Sequence, residues 1–288
     1  LFLLIIIGLT TNAQRVNRYM VVQFNNKTGT PYSIDSAHHF LSARALERRH
    51  RLGISIDSSD LPVNPSLLDS LLNLNVVNRI LYTSRWYNLA VIEPKDGYNT
   101  EIVKSWAKVV YKGESKSLVS EESTSSGKSA STIWSDASLT GGQLKELKID
   151  RLHGAGFRGE GVTIAIFDAG FRSMNRVKAL DTLYAENRVL AIKDFVDFDN
   201  SVYENHTHGT SVTALMAGIV PSRYLGSAPK SNYVLIRTED ATSETRLEEY
   251  NWLAAAEYAD SLGVDLINSS LGYNKFDNPA EDYSIQDL

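Results

Sequence analysis

The spacing of apolar residues changes character near residue 140, and the change indicates two domains. Before it, short runs of strand-like composition are mixed with segments of helical spacing. Strands are predicted at 19–24, within 76–92 around a turn near Thr83-Ser84, and at 109–111, and helices at 36–52, 65–74 and 99–108. Strands and helices mixed in this order predict a small α+β domain over residues 15–112.

From residue 142 onward, strand-like and helical segments alternate. Continuous apolar runs rich in β-branched residues are typical of strands buried on both faces, and they predict strands at 162–167, 188–196, 233–238 and 264–271. A helix is predicted from about residue 246, with Thr245 and Glu248 as a capping box and Gly263 as its end. This alternation predicts a doubly wound α/β domain with a mostly parallel sheet over residues 142–288.

The first nine residues, LFLLIIIGL, form an unbroken apolar run. A membrane-spanning helix needs about 20 residues, so we interpret residues 1–13 as part of a secretory signal peptide that is cleaved after Ala13. The alternatives are a buried strand or a membrane anchor. Because neither an initiator Met nor a basic segment precedes the run, the sequence is expected to begin inside the signal peptide. We expect an exported protein, either secreted or held in the periplasm or at the cell surface, with no membrane contact after cleavage.

A stretch rich in serine, threonine and glycine separates the two predicted domains. Residues 113–141 contain few apolar side chains, and such a segment cannot bury enough surface to order itself. We therefore predict a flexible linker, which allows one domain to fold back onto the other.

Composition and charge exclude several function classes. The chain has no cysteine, which excludes thiol catalysis, thiolate metal sites and disulfides, and its net charge of −5 argues against a general nucleic-acid binder. Residues 1–140 have 15 basic and 12 acidic side chains, whereas residues 141–288 have 14 and 22. The predicted helix at 36–52 is rich in arginine, and a solvated or domain-facing surface is favoured there over a nucleic-acid patch. Its arginines are Arg44, Arg48, Arg49 and Arg51.

Two side chains stand where the catalytic groups of α/β sheets gather. Asp168 comes directly after the predicted strand 162–167, at the carboxyl edge of the sheet. His208 opens a helix of small residues, and Gly209 after it permits another backbone to approach closely. Taken alone, an aspartate in a turn and a surface histidine at a helix start explain these positions as well as catalysis does.

Two other patterns support a function less well. Glu204, His206 and His208 alternate, but no further ligand spacing supports a metal site. Residues 154–159, GAGFRG, match the dinucleotide pattern G-x-G-x-x-G. That fingerprint must follow a strand and open a helix, whereas here it precedes a predicted strand, so we interpret it as a loop.

Four motifs follow one another along the chain: FDAG at 167–170, HGTSVTALMAG at 208–218, GSAP at 226–229 and INSSLG at 267–272. Together they resemble the motifs of the subtilases, the subtilisin-like serine peptidases. Each is weak alone, but their order and spacing are specific. The segments FLSARALERR and SRWYNLAVIE are also similar to the propeptide-like regions that precede the peptidase domain in exported subtilases of Bacteroidetes.

The resemblance implies an incomplete subtilisin-like fold and an Asp-His-Ser triad that hydrolyses peptide bonds in peptide or protein substrates. His208 would act as the base and Asp168 would orient it. Ser270, Leu271 and Gly272 would line the substrate cleft, where backbone groups pair with an extended peptide. No organic cofactor and no metal ligand is implied, although calcium is frequent in the family.

The family's oxyanion asparagine and nucleophilic serine are expected after residue 288, so the chain is expected to stop inside the catalytic domain and to be inactive as it stands. Ser211, in Gly209-Thr210-Ser211, belongs to the histidine motif and is not the nucleophile. Two other functions remain open: a secreted pseudo-peptidase that binds peptides without cutting them, and a metal-dependent hydrolase that uses Asp168, His206 and His208.

The resemblance also implies an intramolecular partner. Residues 15–112 are expected to bind the peptidase domain and inhibit it, with the arginine-rich helix contributing charge attraction. Trp86 and Tyr87 are predicted to belong to the apolar core of that interface.

Overall fold

The computed structural model describes residues 15–97, 101–117 and 140–287. Its N-terminal part is an antiparallel sheet in the order β2-β3-β1-β4. The strands are β1 (Arg15–Gln23), β2 (Val77–Ser84), β3 (Leu89–Pro94) and β4 (Lys108–Ser117). The helices are α1 (Ala43–Leu52), α2 (Pro65–Leu72) and α3 (Glu101–Trp106). The predicted α+β character of this part is confirmed.

The β1 strand is apolar on both faces because each face packs against a different partner. Met20 and Val22 join the core under α2 and α3, whereas Tyr19 and Val21 face the second part of the chain. Successive strand residues point to opposite sides. The run YMVV is therefore a strand between two packed layers.

Two sequence predictions in this part are wrong in detail. The helix expected over 36–52 is a 3₁₀ turn at Ile34–His39 followed by α1, because Ser42 is extended and its hydroxyl caps the amide of Ala45. The linker predicted from residue 113 begins too early, because β4 continues to Ser117 in register with β1. Backbone pairing along β1 recruits these polar residues into the sheet. The predicted signal peptide at 1–13 and residues 118–139 of the predicted linker lie outside the described residues.

The second part contains a parallel sheet in the order β10-β5-β9-β6. Its strands are β5 (Thr163–Asp168), β6 (Val189–Asp194), β9 (Asn232–Arg237) and β10 (Leu266–Ser269). A short antiparallel pair lies outside it and consists of β7 (Ile219–Val220) and β8 (Tyr224–Leu225). The helices are α4 (Gly141–Glu146), α5 (Ile149–Gly154), α6 (Asp181–Ala185), α7 (His208–Ala217) and α8 (Leu247–Leu262).

The parallel sheet is covered on both faces, as the doubly wound fold predicts. Alternate residues of β5 sort between two cores: Ile164 and Ile166 pack towards α7, and Ala165 and Phe167 pack towards α8. Gly263 ends α8 in the left-handed conformation, as predicted. Only half of the predicted capping box forms: the carboxyl group of Glu248 accepts from the backbone of Thr245 and from the amide of Asp240, but no side chain caps the helix start.

In the described part of the chain, no helix is both long enough and apolar enough to cross a membrane.

Candidate active site

Asp168 and His208 meet at the carboxyl edge of the parallel sheet. Asp168 is the last residue of β5, and His208 is the first residue of α7. The Nδ1 atom of His208 lies 2.8 Å from Oδ2 of Asp168. The aspartate side chain is fully buried, whereas 45% of the histidine side chain is exposed. The pair, called the dyad below, therefore joins a shielded carboxylate to an imidazole that solvent and ligands can reach.

The loops that carry the dyad are held together by backbone hydrogen bonds. The amide of Gly209 donates to the carbonyl of Gly170 at 3.0 Å, and the amide of Arg172 donates to the carbonyl of His206 at 3.0 Å. A Cβ atom at Gly209 would lie 2.6 Å from that carbonyl oxygen of Gly170, which is closer than real Cβ contacts. The predicted close backbone approach at Gly209 is confirmed, and it fixes His208 relative to β5.

The environment of Asp168 acts on its carboxyl group in two opposing ways. Burial raises the pKa of Asp168, and the hydrogen bond from His208 opposes the rise. Oδ1 accepts from the amide of Ala169 at 2.8 Å, which also favours the ionised form. Each carboxylate oxygen thus has a donor, so the charged form is satisfied although it is out of water.

Arg237, which the sequence analysis did not single out, supports the loop after Asp168. Its guanidinium is buried and donates through Nε to the carbonyl of Ala169 at 3.2 Å. Nη1 donates to Asp194 at 3.0 Å and to Asp197 at 2.5 Å. Arg237 thereby ties the ends of β9, β5 and β6 together. The sequence places Arg237 near the carboxyl end of the predicted strand 233–238, and this position could have identified it as a residue near the site.

His206 and Ser211, the other candidate side chains near His208, make hydrogen bonds within their own segment. The ring of His206 accepts a hydrogen bond from the amide of His208 at 3.2 Å. Among the described residues, no group of three or more histidine, aspartate or glutamate side chains could hold a metal ion. The hydroxyl of Ser211 donates to the carbonyl of Thr207, the residue before α7, at 3.4 Å.

The segment Ser270, Leu271 and Gly272, called the 270–272 strip below, continues from the carboxyl end of β10. Since Ser269 pairs with Phe167, the strip begins beside Asp168. Ser270 and Gly272 are exposed, and nothing lies within 4 Å of a Cβ built on Gly272. The three predicted substrate-binding residues therefore share the sheet edge that carries Asp168, and their role stays a prediction.

The N-terminal sheet packs directly on α8, next to this edge. The ring of Tyr82 stacks edge-on against Phe195 with 5.6 Å between centroids, and its hydroxyl donates to Asn251 at 2.6 Å. Glu257 accepts from the amide of Arg85 at 2.7 Å and from the hydroxyl of Ser84. The α8 helix is therefore buried between the parallel sheet and the N-terminal sheet.

Arginines of the N-terminal part converge on two aspartates at the far end of α8. Asp260 accepts from Arg49 at 2.7 Å, from Arg85 at 2.7 Å and from Arg48. Asp265 accepts from Arg51 at 3.3 Å and from Arg44. The predicted domain-facing role of the arginine-rich helix is confirmed.

The prediction for Trp86 and Tyr87 is wrong. They are 37% and 59% exposed, because they sit in the turn between β2 and β3 whose backbone faces Glu257. The apolar core of the interface instead consists of side chains from the strands of the N-terminal sheet and from α8 and its neighbours. They include Tyr19, Val21, Leu81, Tyr82, Leu89, Val91, Tyr111, Phe195, Leu247 and Tyr250.

Comparison with known proteins divides the chain in the same way. Residues 19–129 match the family model of the peptidase S8 propeptide domain of Bacteroidota, and residues 159–286 match the model of the subtilase family. Subtilisin of Bacillus pumilus is 29% identical over 132 residues, which are 45% of this chain and 44% of that protein. Subtilisin E of Bacillus subtilis strain 168 is 28% identical over 132 residues, 45% of this chain and 32% of that protein.

The chain thus spans less than half the length of these two subtilisins. Among solved structures, the crystal structure of MycP1 with the N-terminal propeptide removed aligns with a TM-score of 0.34 and 26% sequence identity, over 43% of this chain and 36% of that chain.

Proposed function

Since the chain belongs to the subtilase family, we propose that Asp168 and His208 are two members of the catalytic triad of a serine endopeptidase. The observation that carries the proposal is the 2.8 Å contact between Nδ1 of His208 and the buried Asp168 carboxylate. A buried acceptor at Nδ1 holds the proton there and leaves Nε2 as the basic nitrogen. Nε2 is the nitrogen that must be free to take the proton from a nucleophilic serine.

The reaction follows from this tautomer. Nε2 of His208 takes the proton of a serine hydroxyl as its oxygen attacks the substrate carbonyl, and it later returns a proton to the leaving amine. Asp168 stabilises the imidazolium that forms between the two steps. The hydroxyl of Ser211 bonds to the backbone of Thr207 and not to His208, so the proposal requires a serine from another part of the protein.

Substrates would be extended peptides or unfolded segments of proteins. The 270–272 strip is exposed beside Asp168, and exposed strand-like backbone can bind a peptide as an added strand. Pairing of this kind uses main-chain groups, which every peptide has. It therefore supports a polypeptide substrate of any sequence, with side-chain preference set elsewhere in the cleft.

The propeptide domain would inhibit the enzyme until it is removed. It buries one side of α8 and satisfies Glu257, Asp260 and Asp265 with its own donors. Such an interface holds the domain against α8 while the chain is intact. Export through the predicted signal peptide is part of the same proposal, because the N-terminal domain matches a propeptide family.

The test is labelling of the full-length protein, after release of its N-terminal domain, with a fluorescent phosphonate that reacts with activated serines. We expect labelling and peptide cleavage that are both lost in His208→Ala. Cleavage that survives in His208→Ala would refute the role of this histidine. Tight peptide binding without labelling or cleavage would instead support the pseudo-peptidase.

A further inference from the structure

A buried carboxyl group lies next to the dyad and has no part in the chemistry described above. Glu239 follows β9 by two residues, and it is only 7% exposed. The amide of Thr238 donates to the carbonyl of Asp168 at 3.0 Å, so the chain here still runs beside the end of β5. Burying a carboxyl group is unfavourable unless polar groups contact it. The contacts of Glu239 therefore indicate what it holds in place.

Two hydrogen bonds converge on one oxygen of Glu239. Oε1 accepts from the hydroxyl of Thr238 at 2.9 Å and from the hydroxyl of Tyr273 at 2.5 Å. The first bond is local. The second spans 34 residues of sequence and joins the end of β9 to the residue that directly follows Gly272. Glu239 is thus attached to the 270–272 strip.

The strip has a side-chain anchor at each end. Before it, Nε1 of Trp252 donates to the hydroxyl of Ser269 at 2.9 Å. After it, Tyr273 donates to Glu239. Between the anchors, Leu271 packs partly against the core beneath α8, and Gly272 is open to solvent. Removing the second anchor would leave the end of the strip without its attachment to the sheet edge.

Carboxyl groups surround Glu239 and couple it to the dyad. Burial raises the pKa of Glu239 to about 7, and the negative charges of Glu244 and Asp168 act in the same direction. The hydrogen bonds from Tyr273 and Thr238 oppose the rise. On α8, Glu248 is coupled to Glu239, and Glu249 acts on Tyr273. Asp168 is therefore one of the charged groups that act on Glu239.

We propose that Glu239 is a positioning residue for substrate. Through its hydrogen bond with Tyr273 it holds the 270–272 strip in the position where an extended peptide can pair with the strip. The proposal rests on the proposed function. A tethered strip is already ordered before substrate arrives, and preordering lowers the entropy lost on binding. The effect grows with the number of substrate residues that lie along the strip.

This dependence on substrate length separates positioning from a merely structural role. We would measure kcat and KM of the released, full-length enzyme on a peptide amide of eight residues and on an ester with a single residue before the scissile bond. Tyr273→Phe and Glu239→Leu each remove the tether, which is the hydrogen bond between Tyr273 and Glu239, and Glu239→Gln keeps an acceptor of the same shape.

We expect Tyr273→Phe and Glu239→Leu to raise KM for the long peptide about tenfold, as loss of one buried hydrogen bond allows. The ester should change less than twofold, and Glu239→Gln should stay close to wild type on both substrates.

Equal losses on both substrates, or a Glu239→Gln variant as impaired as Glu239→Leu, would overturn the positioning role. A wild-type enzyme that cleaves neither substrate would refute the proposed function instead. In that case, fluorescence anisotropy with the same octapeptide still tests the tether. Weaker binding in Tyr273→Phe would support it, and unchanged binding would refute it.

Discussion

A histidine that acts as a base must be reachable, whereas the carboxylate that orients it works best out of water. In the proposed roles, Asp168 and His208 divide these requirements between them, since the first is fully buried and the second is about half-exposed. A charged hydrogen bond gains strength in a low-dielectric environment. The burial of Asp168 therefore strengthens its hold on Nδ1, while Nε2 stays accessible.

Asp168→Asn tests this division of labour. The amide can donate to Nδ1, which would place the imidazole proton on Nε2 and remove the base. In serine triads the equivalent change lowers kcat by about 10⁴, and the proposed role of Asp168 predicts a loss of that order with KM changed little. Steady-state kinetics of the released enzyme at neutral pH would measure it. A loss below about tenfold would show that Asp168 is only structural.

Glu248 is a second carboxyl group whose burial has a measurable consequence. One oxygen accepts from the amide of Asp240 at 2.9 Å, and the backbone of Thr245 also stabilises the carboxylate. Burial raises the pKa of Glu248 to about 9, and the charges of Glu239 and Glu244 add to the rise. The folded protein thus holds this proton more tightly than the unfolded chain does.

The sign of the pH effect follows. Between about pH 5 and pH 9 the folded state binds more protons at Glu248 than the unfolded state, so stability falls as pH rises. Glu248→Gln should leave the free energy of unfolding unchanged near pH 5 and raise it by about 1–3 kcal/mol near pH 8. Urea unfolding of the intact chain at the two pH values measures this. Glu146→Gln on the exposed side of α4 is the control, and an equal response from both variants would contradict the prediction.

At the scale of elements, the site depends on how closely the start of α7 approaches the loop after β5. An alanine at Gly209 would gain helix propensity, worth about 1 kcal/mol. Its Cβ would lie 2.6 Å from the carbonyl oxygen of Gly170 and 2.7 Å from the ring of Phe171. Both of these neighbours belong to the loop that follows Asp168, so the steric conflict would separate the dyad.

We expect Gly209→Ala to lower the free energy of unfolding by about 1–3 kcal/mol, the usual range for overpacking, and to reduce kcat strongly. Gly142→Ala is the matched control, since Gly142 is also helical and nothing lies within 4 Å of its added Cβ. That variant should be neutral or slightly stabilising. Thermal unfolding of both variants decides the matter, and a stable, fully active Gly209→Ala would contradict the close approach.

The parallel sheet was predictable because its signals are local. Asp168 ends an apolar run that predicts a strand, and the carboxyl ends of parallel strands meet at one edge. The pairing of Asp168 with His208 was predicted only through the resemblance of four motifs to the subtilases, because the local pattern around each residue is equally typical of a turn or a helix start. The attachment of Tyr273 to Glu239 was not predictable, because a contact between polar side chains 34 residues apart leaves no periodic trace. The extension of β4 to Ser117 depends on pairing with β1, which its own polar sequence does not indicate.

At the scale of the molecule, the basic excess of residues 1–140 and the acidic excess of residues 141–288 meet in ion pairs between the two parts. Asp260 and Asp265 lie at the carboxyl end of α8, where the helix dipole already disfavours negative charge. Arginines of the N-terminal domain neutralise them. Without that domain the two aspartates would lose these arginine partners. The attraction between the domains is therefore concentrated at one end of α8.

Asp260→Asn should weaken the attachment of the N-terminal domain more than any other single loss of charge at this interface. Asp260 accepts from Arg48, Arg49 and Arg85, all largely buried, and removing one member of a buried charge pair costs about 2–5 kcal/mol at an interface.

To measure the loss of attachment, we would place a specific protease site between residues 118 and 139, cut the chain, and follow dissociation of the two parts by surface plasmon resonance. We expect dissociation to be about 30-fold faster or more in the variant. Raising the salt from about 0.05 to about 0.5 M, which shortens the Debye length severalfold, should speed dissociation of the wild type more than that of the variant.

Asp282→Asn is the control, because it makes the same charge change at an ion pair with Lys275 that lies within the second part of the chain. If both variants dissociate at the wild-type rate, the apolar contacts of Tyr82 and Tyr111 hold the domain and the arginines do not.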